Sequence, residues 1–229
     1  MMGGRARCWV AGVIVLSWAS TAVAAAGGAP GVTADDALQR LMAGNKRFVE
    51  SQIKHRSLTI RETREKLVRG QKPYAIILSC SDSRVPPEIV FDETLGQLFV
   101  VRVAGNVLDP IVLGSIEYAV EHLGSALIMV LGHEACGAVT AAFDETGDAG
   151  GNVEAVIDLI KPAVQKVKDT MKGKSRAEQV EAAIDTNIDL VAGNLTVQSS
   201  VIKEYVDRGK LKIVKGKYHL HRGEVTLFK

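Results

Sequence analysis

The stretch "PYAIILSCSDSRVPPE", residues 73–88, runs from an apolar segment into a polar turn. Its apolar half is short and is bounded by Pro73 and by polar residues, which predicts a buried β-strand. Its polar half carries a thiol, a carboxylate and a guanidinium at alternate positions, Cys80, Asp82 and Arg84. Because such groups are costly to bury without partners, they either lie in solvent or form a site where the strand ends.

The alternation of strands and helices continues on both sides of this stretch. Two further apolar segments, 97–106 and 126–133, have the composition of strands, and each is followed by a helical pattern. Strands that are apolar almost throughout predict an α/β fold with a mainly parallel central β-sheet flanked by helices. A helix that begins after Thr33 is expected to form an N-terminal helical arm, and residues 210–227 are expected to form a strand and a returning strand.

Residues 1–24 have the layout of a secretory signal peptide. A short positive start, "MMGGRAR", precedes an uncharged apolar run and then small residues, so we expect cleavage after Ala24. A retained membrane anchor is the alternative, although the run is short for a span that needs roughly 20 residues. Residues 25–229 are then expected to form a single domain without a membrane span, exported to the periplasm or secreted. The net charge of +2, without a basic tract, argues against a nucleic-acid partner.

A second informative stretch is "LGHEACGAV", residues 131–139, where an apolar strand meets a helix. His133 and Cys136 are three residues apart, and one helical turn would let their side chains converge on one zinc ion. Cys80 would be the third ligand, because the carboxyl ends of parallel strands lie at one edge of the sheet. Two cysteines and one histidine with an open fourth position are typical of catalytic zinc. In an exported protein, a disulfide between the two cysteines is the alternative.

The charge of such a metal site predicts a role for Asp82 and Arg84. Two thiolates neutralise Zn²⁺, so a bound water is acidified less than it would be by three imidazoles. Asp82 could accept a hydrogen bond from that water, or it could occupy the open zinc position itself. Arg84 could keep Asp82 ionised through a bidentate pair. An ordinary surface salt bridge is the alternative interpretation of this pair.

The segments "CSDSRVPPE", "LGQLFVVRVAGN" and "LGHEACGAV" occur in an order that resembles the β-class carbonic anhydrases, and the resemblance covers nearly the whole chain after the signal peptide. It implies one zinc ion per subunit on Cys80, His133 and Cys136. It also implies that Asp82 and Arg84 form a catalytic dyad, with Asp82 as a fourth zinc ligand in an inactive form. The implied reaction is the reversible hydration of carbon dioxide to bicarbonate and a proton by zinc hydroxide, in a homodimer or tetramer.

Part of that family has a tryptophan three residues before the first zinc cysteine, in a regulatory bicarbonate pocket. This chain has Ile77 at that position, which suggests the other subgroup. Two alternatives to carbon dioxide hydration stay open: a related zinc hydrolase acting on carbon disulfide or carbonyl sulfide, and a non-catalytic zinc or thiol protein. The other histidines are expected to be surface or packing residues rather than ligands, namely His55, His122, His219 and His221.

Overall fold

The computed structural model describes residues 31–54, 61–147 and 149–228, so the predicted signal peptide and His55 lie outside the described residues. Its strands are β1 (Ala75–Ser79), β2 (Leu98–Arg102), β3 (Leu127–His133), β4 (Lys212–Tyr218) and β5 (Val225–Leu227). They form one sheet in the order β2-β1-β3-β4-β5. The pairs among the first four strands are parallel, and β5 runs antiparallel to β4.

Eight α-helices are assigned within the described residues, and a short 3-10 turn follows β2 at Ala104–Asn106. The predicted α/β fold with a mainly parallel sheet flanked by helices is confirmed, and the helix expected after Thr33 is the first of these helices. None of the helices in the described part of the chain is long and apolar enough to cross a membrane. They are α1 (Ala34–Val49), α2 (Arg61–Leu67), α3 (Pro87–Val90), α4 (Pro110–Glu121), α5 (Gly137–Asp144), α6 (Val153–Thr170), α7 (Arg176–Gln198) and α8 (Ser200–Asp207).

The sheet separates two apolar clusters, because successive side chains of a strand point to opposite faces. On β1, Ile76 and Leu78 belong to the larger cluster, which also contains apolar residues of α4 to α8. Ala75 and Ile77 belong to the smaller cluster, together with residues of α1 and α3. Both β1 and β3 are buried along their whole length, which is the burial expected of parallel strands covered on both faces.

One buried amide fixes α1 against the rest of the molecule. Thr33 caps this helix, since its hydroxyl accepts a hydrogen bond from a backbone N–H of the first turn. Near the other end of the helix, Asn45 donates to the carbonyl oxygens of Val90 and Gly223 and accepts from the N–H of Val225. These three hydrogen bonds tie α1 to α3 and to the hairpin of β4 and β5, and they satisfy a polar group that is otherwise costly to bury.

The carboxyl ends of β1, β2 and β3 lie side by side at one edge of the sheet. Ser79, the last residue of β1, is in register with Arg102 of β2 and with Leu131 of β3. The segments that follow these strands therefore emerge next to one another, including those that begin at Cys80 and Glu134. This is the edge at which parallel α/β sheets bind their ligands.

Candidate metal centre

Cys80, His133 and Cys136 form a buried cluster at this edge. Their ligand atoms lie within 4.8 Å of one another, so the group could hold a metal ion. Both cysteines are free thiols with their Sγ atoms 4.0 Å apart, so the structure does not contain the alternative disulfide. The three residues are only 4%, 0% and 2% exposed, respectively, which keeps bulk water away from the donor atoms.

His133 has one ring nitrogen engaged and one free. Its Nδ1 lies 2.8 Å from the carbonyl oxygen of Glu134, and an N–H at that position donates to the carbonyl. Its Nε2 is buried and has no hydrogen-bond partner among the described residues. A buried nitrogen without a partner is costly, and a metal ion beside two thiols would satisfy it. One imidazole and two soft sulfur atoms are a donor set that suits Zn²⁺.

A tight loop brings His133 and Cys136 together. His133 is the last residue of β3, and Cys136 is the N-cap of α5 with an extended backbone. Between them, Ala135 has a φ of 50°, in the left-handed region. The expectation that the two side chains share one helical turn is therefore wrong, although they do converge. The change of chain direction at Ala135, rather than a helical turn, brings the two side chains together.

Hydrogen bonds favour a thiolate at Cys80. Its Sγ faces the thiol of Cys136 and accepts a hydrogen bond of 3.3 Å from the backbone N–H of Gly105. The hydrogen bond from the Cys136 thiol lowers the pKa of Cys80 most and the N–H of Gly105 lowers it further, although burial opposes the shift. The hydrogen bond to Cys80 and burial raise the pKa of Cys136. These contacts favour the thiolate at Cys80 over that at Cys136, and metal binding would displace the proton of Cys136.

Asp82 and Arg84 form a bidentate pair beside the cluster. Nε and Nη2 of Arg84 donate to the two carboxylate oxygens of Asp82 at 2.9 and 2.7 Å, and the Arg84 backbone N–H donates to Oδ1 at 2.9 Å. These bonds hold the pKa of Asp82 well below its usual range, against a smaller opposing effect of burial. Oδ2 of Asp82 is 3.9 Å from Nε2 of His133. An ionised carboxylate therefore lies next to the three ligand groups.

Arg102 is a residue of the site that the sequence analysis did not single out. It ends β2, and its Nε donates to the carbonyl oxygen of Cys80 at 2.9 Å. Its Nη2 donates to the carbonyl oxygen of Asp82 at 2.5 Å. One guanidinium therefore fixes the backbone that carries both a ligand and the carboxylate. Its signal in the sequence is an arginine that closes the otherwise apolar strand "LFVVR".

Glu134 and His219 form a second contact beside the ligand loop. Nδ1 of His219 is 2.5 Å from Oε1 of Glu134, and its Nε2 is 2.9 Å from the hydroxyl of Thr226. The hydrogen bond from His219 lowers the pKa of Glu134. The Glu134 N–H also donates to the carbonyl oxygen of Tyr218 at 3.0 Å, so the loop is joined to the hairpin of β4 and β5. His219 is thus a packing residue outside the metal cluster, and the exposed His122 and His221 also lie outside it.

Residues 75–225 match the family described as carbonic anhydrase. The chain belongs to the carbonic anhydrase family. Carbonic anhydrase 2 of Mycobacterium tuberculosis (strain CDC 1551 / Oshkosh) is 42% identical over 194 residues, which cover 83% of this chain and 91% of the relative. The carbonic anhydrase of Mycolicibacterium smegmatis is 41% identical with the same coverage of both chains. A Coccomyxa β-carbonic anhydrase solved in complex with acetazolamide has a TM-score of 0.69 and 25% identity, and the match covers 83% of this chain and 86% of that one.

These likenesses confirm that the chain is an enzyme, a carbonic anhydrase of the β class. The carbonic anhydrases of this class use zinc, and the cluster of Cys80, His133 and Cys136 offers one site for it in the described part of the chain. Hydration of carbon dioxide is the general reaction of the family. The substrate of this enzyme is therefore a small molecule.

Proposed function

We propose that this carbonic anhydrase converts carbon dioxide reversibly to bicarbonate and a proton with Asp82 and Arg84 as its catalytic dyad. One observation carries the proposal: the Asp82 carboxylate, bound by two nitrogens of Arg84, lies 3.9 Å from the free Nε2 of His133. An ordinary surface salt bridge is not expected to lie beside three buried ligand groups. A role in the reaction explains both the pairing and its position.

Cys80, His133 and Cys136 would hold the zinc ion. A zinc ion held by these residues would supply Lewis acidity that lowers the pKa of water and so provides a hydroxide nucleophile for carbon dioxide. The protein keeps its ligands in the required state from two sides. The N–H of Gly105 stabilises negative charge on the Cys80 sulfur, and the carbonyl of Glu134 holds the His133 proton on Nδ1.

Asp82 would orient the nucleophile. Because Arg84 keeps its pKa low, Asp82 is an acceptor throughout the neutral range. An acceptor that cannot donate draws the hydrogen of the nucleophile toward itself and leaves a lone pair directed at the carbon of carbon dioxide. The same contacts oppose the role of Asp82 as a fourth zinc ligand, because Arg84 already engages both carboxylate oxygens. We expect Asp82 to bind zinc only when its pair with Arg84 opens.

Export and assembly are further parts of the proposal. The order of positive, apolar and small residues in 1–24 supports a signal peptide, with residues 25–229 as one domain in the periplasm or outside the cell. Carbon dioxide crosses membranes readily and bicarbonate does not, so an exported enzyme would change their supply or the pH outside the cytoplasm. The resemblance to the β class supports a homodimer or tetramer.

Stopped-flow hydration of carbon dioxide by the reduced, zinc-loaded protein across a range of pH tests the reaction directly. We expect fast turnover that rises with pH, because the nucleophile must first lose a proton. Carbon disulfide and carbonyl sulfide are measured in parallel. Hydrolysis of either sulfur compound without hydration of carbon dioxide would replace the proposal with a related zinc hydrolase. Bound zinc with no turnover of any of the three would indicate a non-catalytic zinc protein.

A further inference from the structure

Glu181, on α7, contacts the loop that carries two of the three ligands. Its Oε1 accepts a hydrogen bond of 3.0 Å from the N–H of Ala135. The carbonyl oxygen of Ala135 accepts a hydrogen bond of 3.3 Å from Nη2 of Arg84, the same nitrogen that donates to Asp82. The two backbone polar groups of Ala135 are therefore held by Glu181 on one side and by Arg84 on the other.

We propose that Glu181 is a positioning residue for the pair of Asp82 and Arg84, and that it acts through the backbone of Ala135. The inference rests on the proposed function of that pair. Glu181 bonds to a backbone group rather than to a reacting group, so its role is to fix the carbonyl against which Arg84 is placed.

The conformation of Ala135 explains why this loop needs support. Its φ of 50° lies in a region that residues with a Cβ adopt only when their surroundings hold them there. On its N-terminal side, Glu134 is hydrogen-bonded to Tyr218, and on its C-terminal side Cys136 is the N-cap of α5. Glu181 holds the residue between these two anchors.

Lys217, on β4, holds Glu181 in turn. Its Nζ lies 2.7 Å from Oε2 of Glu181 and 2.8 Å from Oδ1 of Asp185, and its side chain is only 9% exposed. Burial alone would lower the pKa of Lys217, but hydrogen bonds to the two carboxylates raise it, so the cation persists. The Glu181 carboxylate is thus divided between two contacts, one oxygen facing Lys217 and the other facing Ala135.

Loss of the Glu181 oxygen would free the Glu134–Ala135 peptide to rotate, and the change in the backbone of Ala135 would shift the carbonyl of the following peptide, which Arg84 contacts. Because a displaced Arg84 turns the Asp82 carboxylate, we expect kcat to fall more than KM rises. Mutation of the residues that hydrogen-bond to metal ligands typically lowers activity or metal affinity by roughly 10–100-fold. We expect about ten-fold here, since Arg84 keeps its own bonds to Asp82.

Three substitutions separate the hydrogen bond from the ion pair. Glu181→Ala removes both, Glu181→Gln keeps an acceptor of the same length without the charge, and Glu181→Asp keeps the charge on a side chain one methylene shorter. We expect kcat for carbon dioxide hydration to fall about ten-fold in the Ala and Asp variants. We expect a smaller loss in the Gln variant, whose oxygen can still accept from Ala135 although its NH2 group would face Lys217. If Glu181→Ala does not fold, the Gln and Asp variants still give the comparison.

Asp189→Ala is the matched control, because Asp189 also joins α7 to β4 but does so through Lys215, at 2.8 Å. Melting curves establish that each variant is folded.

A double-mutant cycle with Arg84→Ala then measures the coupling between the two residues. Glu181→Ala should cost little further activity once Arg84 is gone. Zinc release to a chelator is a readout that needs no turnover. It should be faster in Glu181→Ala than in Asp189→Ala, because Cys136 directly follows Ala135.

Arg84→Ala by itself distinguishes the inference from the function on which it rests. Wild-type hydration by Arg84→Ala would overturn the proposed dyad. If Arg84→Ala is impaired but Glu181→Ala matches Asp189→Ala in kcat and zinc release, or adds its full loss to that of Arg84→Ala, the positioning role is overturned and the dyad stands. Rescue by the Asp variant rather than by the Gln variant would also overturn it, because the effect would then belong to the ion pair with Lys217.

Discussion

A single backbone contact prepares the His133 side chain for a metal. The carbonyl oxygen of Glu134 holds the imidazole proton on Nδ1, which leaves Nε2 free beside the two thiols. If Nε2 had a partner in the protein, that hydrogen bond would have to break before a metal could bind. The ligand is therefore in its binding tautomer from the start, and binding does not have to select it.

Replacing Asp82 by asparagine tests the dyad with a change of one atom. Asparagine keeps one acceptor oxygen, but its NH2 group only donates and would face Arg84, which also only donates. The bidentate pair and the charge are both lost, so we expect kcat for carbon dioxide hydration to fall by roughly 10²-fold or more. Zinc content should stay at the wild-type level because three ligands remain. Stopped-flow kinetics and metal analysis on one sample check both expectations.

Asp144→Asn is the matched control for this variant. Asp144 makes a similar two-point contact with Arg176, but both side chains are about half exposed and the pair lies at the far end of α5 from Cys136. Exposed ion pairs contribute little to stability, so hydration should be unchanged. Full activity of Asp82→Asn would contradict the dyad. Equal losses in the two variants would point to a general effect on the fold.

Replacing Cys136 by serine tests the ligand set. A serine hydroxyl does not ionise near neutral pH and is a poor zinc ligand, whereas a cysteine thiolate binds zinc strongly. We expect zinc to be lost on dialysis, as measured by metal analysis, while Asp82→Asn keeps its zinc under the same dialysis. Zinc content equal to that of the wild type would remove Cys136 from the ligand set.

At the scale of single residues, the sequence identifies site residues whose side chains are chemically unusual for their position. A thiol, a carboxylate and a guanidinium at the end of an apolar strand point to a site, and His133 with Cys136 completes it. Arg102 could have been found in the same way, because it ends a strand at the same edge of the sheet. Glu181 could not, since an acidic residue on a helix usually faces solvent. Its contact with Ala135 depends on how α7 packs against β4.

The turn after β2 is the element that brings a backbone N–H to Cys80. Gly105 has a φ of 68°, its N–H donates to the Cys80 sulfur, and its carbonyl oxygen accepts from Asn187. Glycine adopts this left-handed conformation without steric cost. A Cβ at Gly105 would also lie 2.6 Å from Cδ1 of the fully buried Ile160. Backbone conformation and packing therefore both require glycine here.

Gly105→Ala should destabilise the protein and weaken its hold on zinc. We expect the free energy of unfolding to fall by about 2–4 kcal/mol, from a left-handed alanine and an overpacked contact with Ile160. The shift of the turn would also move the N–H away from Cys80, so zinc affinity should fall. Urea unfolding of the metal-free protein measures the first effect, and competition with a chelator measures the second.

Gly114→Ala separates these effects from a general consequence of replacing glycine. Gly114 lies inside α4, and a Cβ there would meet no atom within 4 Å. Because alanine favours helix, this variant should gain up to about 1 kcal/mol of stability. If Gly105→Ala were as stable as Gly114→Ala, the packing argument at the turn would be wrong.

Strands and helices could be predicted because apolar segments alternate with turn residues, and each predicted element has a counterpart in the described structure. The ligand loop could not be predicted in the same way. A left-handed residue is usually marked by glycine or asparagine, and here it is Ala135. Glu181 and Tyr218, which support the loop from α7 and from β4, are far from it in the sequence, so no local pattern reveals the turn.

In the whole molecule, a zinc ion would join two separate strand ends. Cys80 follows β1, and His133 and Cys136 flank the loop after β3. These two strands are neighbours in the sheet and are buried along their whole length. The common edge could be predicted from the parallel arrangement alone. The packing of α7 beside β4 depends on long-range contacts, and the sequence pattern does not determine it.

Removal of zinc should destabilise this assembly of strands as a unit. A ligand that binds only the folded state adds about 2.7 kcal/mol when its free concentration is 100 times its Kd. For a chain of this size that corresponds to a Tm shift of about 5–10 °C. Protein stripped with a chelator under reducing conditions, which keep Cys80 and Cys136 as thiols, should melt that much lower by circular dichroism and should recover when zinc is added.

The ligand variants show whether the shift comes from this site. Asp82→Asn should keep the full zinc dependence of Tm. The Tm of Cys136→Ser, in contrast, should be the same with and without zinc. Binding to exposed carboxylates would instead raise the Tm of both variants equally, and that result would contradict the site. Because two protein ligands bind zinc far more weakly than three, loss of Cys136 should abolish the shift rather than reduce it by a third. A partial shift in Cys136→Ser would mean that Cys80 and His133 hold zinc without it.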